Sequence, residues 1–333
     1  MKEILLRSKI LQQNMTLENL FSIICSTPEK VAARYMEGGQ DKEITYGQYK
    51  NMTLSCARYI NSRLGGETEG KFVALQLDTC PQWFAAFWGI IASGHQAILL
   101  DYSLNDEMTA YMLQQAGAVA VIGKAVRALP AQYAQITLDE MMAAPQVTEY
   151  PHTFGTMVAL CTSGTTSTSR IFVYNENAIC NQVLNSELLY RSNKRIINDK
   201  PNRNLAFLPF HHIFGFMVCM QWLHFLGYEN VYLKDRSPKT IQETAQHFHV
   251  THLLAVPLLA NNLSIALNKK VAKEKRFKRA AFKSMKGTSL ALQSVTPGFG
   301  LDFARKFMFK NVVSQILGPD IKCIILGGSH TPS

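Results

Sequence analysis

Short apolar runs that alternate with amphipathic segments set the first limit on the fold of this chain. Between residues 72 and 122, three apolar runs are separated by two segments of helical periodicity, and the connections are short. The strands predicted here cover residues 72–77, 96–100 and 118–122. Strands joined through helices in this way run parallel, with helices on both faces of the sheet. The pattern therefore predicts an α/β fold.

The alternation continues after a proline-bounded stretch at residues 145–151. We interpret this stretch as a linker between two α/β lobes, one spanning residues 1–150 and the other residues 151–333. The segments predicted in the second lobe are strands at 157–161, 205–208, 231–233, 252–256 and 321–326, and helices at 177–190, 213–226, 238–248, 257–268 and 303–316.

The composition excludes several classes of protein. Glycine and proline are scarce, at 20 and 12 of 333 residues, and aromatic residues reach 10%, which argues against a collagen-like or disordered chain. The seven cysteines form no C-x-x-C pair, so a disulfide scaffold or a zinc module is not expected. The most apolar stretch, residues 205–226, contains Pro209 and two adjacent histidines, which are costly inside a bilayer. A membrane span is therefore not expected.

The positive charge is concentrated in one segment, from Lys269 to Lys286. The formal net charge of the chain is +10, and this segment carries nine basic residues and one acid, which contribute +8. A solvated helix face would explain this charge, as would a patch for an anionic membrane surface or an acidic carrier protein. Nucleic-acid binding is not expected, because no recognised binding motif accompanies the charge. We predict a cytoplasmic protein, with peripheral association at a membrane surface as an open alternative.

A loop rich in hydroxyl groups follows the strand predicted at 157–161. Residues 162–169 are all small, seven of these eight carry a hydroxyl group, and Arg170 follows them with a positive charge. Backbone N–H groups, hydroxyls and a guanidinium are the donors that bind a polyphosphate, and no bulky side chain would block its approach. On composition alone, a flexible connection is the alternative. The Gly-x-x-x-x-Gly-Lys spacing of a Walker A loop is absent.

This loop resembles the phosphate loop of the adenylate-forming superfamily, which includes acyl- and aryl-CoA synthetases, luciferases and the adenylation domains of peptide synthetases. The family pattern is approximately Thr-Ser-Gly-Thr-Thr-Gly-x-Pro-Lys-Gly. Residues 162–166 match it without change. Ser167, Ser169 and Arg170 stand where the family has glycine, proline and lysine.

Five further segments resemble signatures of the same family and follow the family's order. They are residues 44–49 (ITYGQY), 90–101 (IIASGHQAILLD), 208–215 (LPFHHIFG), 251–257 (THLLAVP) and 327–329 (GGS). The resemblance implies the large N-terminal domain of an adenylate-forming enzyme, with two mostly parallel sheets and flanking helices in a layered arrangement.

The resemblance also implies a reaction, in which a carboxylic acid and ATP give an acyl-adenylate and pyrophosphate. The acyl group then passes to the thiol of CoA or of carrier-protein phosphopantetheine. Arg170 would keep the positive charge of the family's lysine, and Mg²⁺ would be held by Thr166 with a glutamate that this chain lacks. The residues matched to the ATP site are Thr162, Ser163, Gly164, Thr165, Thr166, Ser167 and Thr168 for phosphate, and Gly327, Gly328 and Ser329 for adenine.

His212 falls where acyl- and aryl-CoA synthetases carry a histidine, which implies a role beside the acyl carboxylate and the thioester passage. A core histidine ahead of a helix is the alternative, and His211 is expected to be structural. The acyl pocket is expected to include His212, Phe214, Gly215 and Val256, and the alternative for Phe214 is a place in the core of the following helix. Peptide-synthetase domains place an aspartate near this segment, and its absence disfavours an amino-acid substrate. The basic segment resembles the layout of long-chain acyl-CoA synthetases, which favours a fatty acid.

The chain ends at Ser333, before the family's Tyr-Gly-x-Thr-Glu segment and C-terminal lid domain. We expect that residues 1–333 are the N-terminal part of a longer enzyme or an incomplete product, and that alone they bind ATP weakly at best and turn over little or no substrate. Two other functions stay open. One is a non-catalytic module that binds acyl groups or nucleotides, and the other is surface association through the basic segment.

Overall fold

The computed structural model describes residues 2–151, 153–162, 170–192, 201–257, 261, 265 and 318–327, including only the backbone at 162, 189 and 190. Two units are distinguished, the first comprising residues 1–200 and 208–232 and the second residues 201–207 and 233–333. The lobes predicted at 1–150 and 151–333 divide the chain at other residues, and that division stays a prediction.

The elements follow one another in chain order. They are α1 (Lys2–Gln13), α2 (Leu17–Ile24), β1 (Val31–Glu37), β2 (Gln40–Thr45), α3 (Tyr46–Leu64), β3 (Phe72–Gln76), α4 (Trp83–Ala92), β4 (Gln96–Leu99), α5 (Asp106–Ala116), β5 (Ala118–Gly123), β6 (Ala134–Thr137), α6 (Leu138–Met142), β7 (Met157–Thr162), β8 (Arg170–Asn175), α7 (Glu176–Ser192), β9 (Arg203–Ala206), a π-helix (Gly215–Trp222), α8 (Leu223–Phe225), β10 (Glu229–Tyr232), α9 (Pro238–His247), β11 (His252–Ala255) and β12 (Cys323–Leu326).

A six-stranded sheet forms the centre of the first unit, in the order β6-β5-β3-β4-β7-β8. Neighbouring strands are parallel, except that β8 runs antiparallel to β7. Ala74 lies between Ile98 and Val121 in register, and all three are buried. Parallel strands are covered on both faces, which explains why these runs are apolar throughout rather than alternating. The strands predicted at 72–77, 96–100, 118–122 and 157–161 are confirmed.

Helix α4 is buried along its whole length. It packs against α3 so closely that a Cβ built on Gly89 would lie 2.5 Å from the Cβ of Cys56. Helix α3 begins at a capping box, in which Thr45 and Gln48 each accept a hydrogen bond from the other's backbone N–H. Because each large side chain buried in α4 contributes roughly 2 kcal/mol, this helix is a main source of the core's stability.

Three further strands of the first unit have the order β10-β1-β2. Strand β1 is parallel to β10 and antiparallel to β2. Gly38 and Gly39 form the turn between β1 and β2 with φ angles of 58° and 78°, which other residues rarely adopt. Arg34 of β1 forms ion pairs with Glu43 of β2 and Glu229 of β10, so one guanidinium joins all three strands.

The described part of the second unit contains three parallel strands in the order β12-β11-β9, and helix α9. His252 of β11 lies between Asn204 and Cys323 in register. Helix α9 begins at Pro238, after Ser237 has capped it by accepting a hydrogen bond from a backbone N–H. Of the helices predicted at 257–268 and 303–316, the structure describes only Pro257, Asn261 and Ile265.

Two predicted segments differ from the structure. The helix predicted at 213–226 contains a π-helix, Gly215–Trp222, which has wider turns than an α-helix. The backbone of Gly215 lies against the Pro209 carbonyl at the start of this helix, a close contact that apolar periodicity does not reveal. The strand predicted at 205–208 lies two residues earlier, because the N–H of Phe207 turns back to the carbonyl of Leu205.

Strand β8 is not predicted from the sequence. Phe172 and Val173 are both exposed although they are neighbours in the strand, so the run lacks the alternation of a half-buried strand. Among the described residues, no helix is both long and apolar enough to cross a membrane.

Candidate functional site

The hydroxyl-rich loop connects two strands whose pairing is described. Strands β7 and β8 are antiparallel, and in their last pair Thr162 lies opposite Arg170. The two ends of the loop are therefore held side by side at the carboxyl end of β7, the edge at which α/β sheets bind ligands. The other residues predicted to bind phosphate or Mg²⁺ lie outside the described residues; these are Ser163, Gly164, Thr165, Thr166, Ser167 and Thr168.

Arg170 is the one member of the predicted phosphate site whose side chain is described. It is exposed at the first position of β8. A guanidinium keeps its positive charge and offers several N–H donors in a plane, so it can bind two oxygens of a phosphate at once. Its position beside the loop suits the predicted phosphate role, which stays a prediction.

Asp101 lies at the same edge of the sheet, two residues beyond β4. Strands β4 and β7 are neighbours, and Leu99 pairs with Leu160 in register. Asp101 and Thr162 each follow that pair by two residues, so they lie at adjacent strand ends. The Oδ1 atom of Asp101 accepts hydrogen bonds from the backbone N–H and the hydroxyl of Ser103, both at 2.8 Å.

Two adjacent histidines face this carboxylate. The Nε2 atom of His211 lies 3.7 Å from Oδ2 of Asp101, and the ring centroids of His211 and His212 are 4.2 Å apart. Burial opposes the ionisation of Asp101, but the hydrogen bonds from Ser103 and the fields of His211 and His212 outweigh it, and the pKa of Asp101 is lowered. A carboxylate and two imidazoles thus gather beside the end of the hydroxyl-rich loop.

The segment before the histidines is held by Thr79, which follows β3. The Thr79 hydroxyl donates to the carbonyl of Leu208 and accepts from the N–H of Phe210, at 3.2 and 3.3 Å. Phe210 packs edge-on against Trp83, with 5.3 Å between ring centroids. The backbone that carries His211 is therefore tied to the core.

The residues predicted to form the acyl pocket fall into both units. Phe214 is half-buried and Gly215 is buried at the start of the π-helix. Val256 is half-buried after β11 in the second unit. A Cβ on Gly215 would lie 2.0 Å from the carbonyl oxygen of Pro209, so the backbones at these two residues are too close to leave room for a side chain.

The predicted adenine segment begins at the end of β12. The N–H of Gly327 donates to the carbonyl of Ala255 at 3.2 Å, which joins the carboxyl ends of β12 and β11. Gly328 and Ser329 lie outside the described residues. In the part of the chain that the structure describes, no three acidic, histidine or cysteine side chains form a metal-binding cluster.

Two residues of this site, Thr79 and Asp101, were not assigned a role from the sequence. Both lie within three residues of the end of a parallel strand, at the carboxyl edge where ligand-binding groups of α/β proteins collect. That placement is the signal by which they could have been found. His211, expected to be structural, is buried and lies against Asp101.

A comparison with protein families matches the chain from residue 24 to residue 332 to a family described as AMP-binding enzyme. The chain belongs to this family. The chain also matches the nonribosomal peptide synthetase SIDC of Beauveria bassiana, with 29% identity over 97 residues, which is 28% of this chain and 2% of the synthetase.

Solved structures of similar proteins share the fold of this AMP-binding domain. The inhibitor-bound N-terminal domain of FACL13 from Mycobacterium tuberculosis has a TM-score of 0.64 and 17% identity, over 95% of this chain and 71% of that one. The o-succinylbenzoate CoA synthetase MenE from Bacillus subtilis, in complex with the acyl-adenylate intermediate OSB-AMP, has a TM-score of 0.60 and 19% identity, over 75% of this chain and 50% of MenE. These likenesses confirm the predicted α/β fold with two mostly parallel sheets and flanking helices.

The AMP-binding domain described here is short relative to several of these proteins. It spans half the length of MenE and 2% of the length of the peptide synthetase.

Proposed function

We propose that this AMP-binding domain activates a carboxylic acid with ATP. A carboxylate oxygen attacks the α-phosphorus, the bond from that phosphorus to the bridging oxygen breaks, and an acyl-adenylate and pyrophosphate result. The observation that carries the proposal is the placement of Thr162 and Asp101 at adjacent strand ends, with His211 beside Asp101. The strand end after which the predicted phosphate loop begins is therefore adjacent to the strand end that carries Asp101, and this adjacency supports the proposal.

The chain's own residues would manage the charge of two anions that must meet. The loop hydroxyls and Arg170 would bind phosphate oxygens, and the exposed guanidinium would lower the repulsion that the carboxylate meets. Mg²⁺, when bound at Thr166, would neutralise further phosphate charge. The planar guanidinium of Arg170 can donate two parallel hydrogen bonds, which the ammonium group of the family's lysine cannot. Its contacts with phosphate would therefore be bidentate.

Within this reaction we propose a fatty acid as the substrate and a thiol as the acyl acceptor. The segment 210–212 offers no aspartate for an α-ammonium group, and Phe214 with the π-helix after it is largely apolar. The acceptor would be CoA or the phosphopantetheine of a carrier protein, since similar proteins include a CoA synthetase and a peptide synthetase. The basic segment that could contact an acidic carrier or an anionic membrane lies outside the described residues.

A non-catalytic binding module is the second candidate. Ser167, Ser169 and Arg170 replace the glycine, proline and lysine of the family's loop, and these are the observations that favour it. Such a module would bind ATP or an acyl group without forming pyrophosphate.

Two assays test the proposal. Equilibrium dialysis with labelled ATP measures binding by the 333-residue chain. ATP–pyrophosphate exchange, assayed in the full-length protein, measures adenylation with fatty acids of several lengths, an aromatic acid and amino acids. We expect weak ATP binding by the 333-residue chain, and exchange in the full-length protein that is strongest with a fatty acid. Arg170→Ala should lower exchange about 100-fold through loss of phosphate contacts, whereas Arg63→Ala, on the exposed face of α3, should not change it. ATP binding without exchange for any acid would favour the non-catalytic module.

A further inference from the structure

Asp101, His211 and His212 form one group of neighbouring titratable side chains. The Asp101 carboxylate lies 3.7 Å from Nε2 of His211, and the two imidazole rings are 4.2 Å apart. His211 is only 5% exposed and Asp101 is 37% exposed, while His212 is half-buried. The Asp101 carboxylate therefore lies beside His211, the more buried of the two rings.

Two imidazoles this close do not readily carry a proton each, because like charges disfavour one another. A single proton on the pair goes to the ring at which the surroundings stabilise a positive charge more strongly. Asp101 provides that stabilisation at His211, and the Ser103 hydrogen bonds keep the carboxylate charged and oriented. Burial of His211 works against its charge, and the nearby carboxylate offsets that cost.

We propose that Asp101 is a positioning residue that keeps the proton of the histidine pair on His211 and thereby leaves the His212 imidazole neutral. The inference rests on the proposed function, in which His212 lies beside the acyl carboxylate. A neutral ring at that place does not hold the carboxylate in an ion pair, so its oxygen stays free to attack the α-phosphorus. Arg170 then remains a positive charge for the phosphates alone.

Among the described residues, titratable groups approach His211 from at least two segments of the chain. Asp101 and Tyr102 approach from the turn after β4, and the Tyr102 ring lies edge-on with 6.1 Å between centroids. His212 is its neighbour in the chain. Of these groups, the carboxylate is the one that supplies a negative charge.

The test is an NMR titration of the histidine side chains. The 333-residue chain is labelled with ¹⁵N-histidine, and two-bond ¹H–¹⁵N correlations are recorded from about pH 5 to about pH 8, without ATP or acid. His211→Asn and His212→Asn assign the signals. We expect the two rings to titrate separately, with His211 keeping its proton to the higher pH. In Asp101→Asn, His211 should lose its proton about one pH unit earlier, and Asp101→Glu should restore the wild-type order.

The control is Asp139→Asn, which removes an exposed carboxylate at the start of α6 and should leave both titrations unchanged. The proposal is overturned if Asp101→Asn changes neither titration, or if His212 is the ring that keeps its proton to the higher pH. Should Asp101→Asn fail to fold, His211→Asn serves instead. With its charged neighbour removed, His212 should then keep its proton to a higher pH, and an unchanged titration would refute the proposal.

Because the titration needs no nucleotide, its result is independent of the proposed reaction. Absence of exchange with every acid, combined with the expected titrations, would contradict adenylation and leave the proton placement intact. Normal exchange, combined with histidine titrations that are the same in Asp101→Asn as in the wild type, would contradict only the proton placement.

Discussion

The hydroxyl of Thr79 accepts a hydrogen bond from the backbone N–H of Phe210, a residue 131 positions further along the chain, at 3.3 Å. The same hydroxyl donates to the carbonyl of Leu208 at 3.2 Å. One side chain at the end of β3 thus satisfies two backbone groups of the segment that leads to the histidine pair.

Thr79→Val should destabilise the protein by about 2 kcal/mol, because two backbone groups would lose their partner. Thr79→Ser keeps the hydroxyl and should cost less. Urea unfolding followed by circular dichroism measures both variants, and exchange activity should fall in the valine variant only. Equal stabilities of the valine variant and the wild type would show that the two hydrogen bonds contribute nothing net.

Gly215→Ala should be among the most destabilising single changes in the first unit. A Cβ at this position would lie 2.0 Å from the Pro209 carbonyl oxygen, so the backbone must shift. We expect a loss of about 3 kcal/mol, comparable to other overpacked core sites. The matched control is Gly66→Ala, since a Cβ there meets nothing within 4 Å. A thermal unfolding midpoint of Gly215→Ala equal to that of the control would contradict the close approach.

Gln221→Met should stabilise the protein. In the described structure this glutamine is fully buried, and neither its side-chain oxygen nor its nitrogen has a hydrogen-bond partner. Replacing an unsatisfied buried amide with an apolar group of similar length should add about 1 kcal/mol to the free energy of unfolding.

Gln96→Met is the matched contrast to that substitution. In the native protein the side-chain oxygen of Gln96 accepts hydrogen bonds from the N–H groups of Thr156 and Met157, at 2.9 and 2.5 Å. Its removal leaves those donors unpaired and should cost about 2 kcal/mol. Urea unfolding of both variants should therefore give changes of opposite sign, and a loss of stability in Gln221→Met would count against the prediction.

His224 should make stability depend on pH. Complete burial lowers the pKa of His224 from its ordinary value of 6.5 to about 4, although its ring bonds to the carbonyl of Met220. Between pH 6.5 and 4 the unfolded chain binds a proton there that the folded chain does not, so stability rises with pH. The contribution is full above pH 6.5, and about 3 kcal/mol of it is lost as the pH falls to 4.

Urea unfolding at several pH values across this range measures the effect. His224→Asn should flatten the pH dependence, whatever its cost in stability at pH 7. His247→Asn, at an exposed position near the end of α9, should keep the wild-type slope. An unchanged slope in His224→Asn would show that another group dominates the acid sensitivity.

Much of the fold could be predicted because its strands are buried on both faces. The apolar runs that became β3, β4 and β5 stand out against their polar surroundings, and Asn105 marks the start of α5 by capping it. Strand β8 could not be predicted, because Phe172 and Val173 are adjacent and both exposed and therefore break the alternation of apolar and polar residues that marks a half-buried strand. The apolar periodicity of residues 213–226 predicts a helix, but it does not distinguish the wider turns of the π-helix from those of an α-helix.

The site was predictable only as far as local motifs reach. The loop after residue 161 and the histidines at 211 and 212 are contiguous segments with recognisable chemistry. Asp101 and His211 are 110 positions apart, and their contact depends on how β4 and the segment after β9 are placed in the fold. A carboxylate that follows a strand has many potential partners in a sequence, and packing selects one of them.

The pairing of Thr162 with Arg170 has a consequence for the intervening loop. The β7–β8 ladder brings the loop ends together, so the entropic cost of closing the loop is met by the sheet and not by the loop's own residues. The sequence of the loop is then under a weaker folding requirement than that of the two strands. Substitutions at Ser167 or Ser169 should therefore change the free energy of unfolding of the domain little.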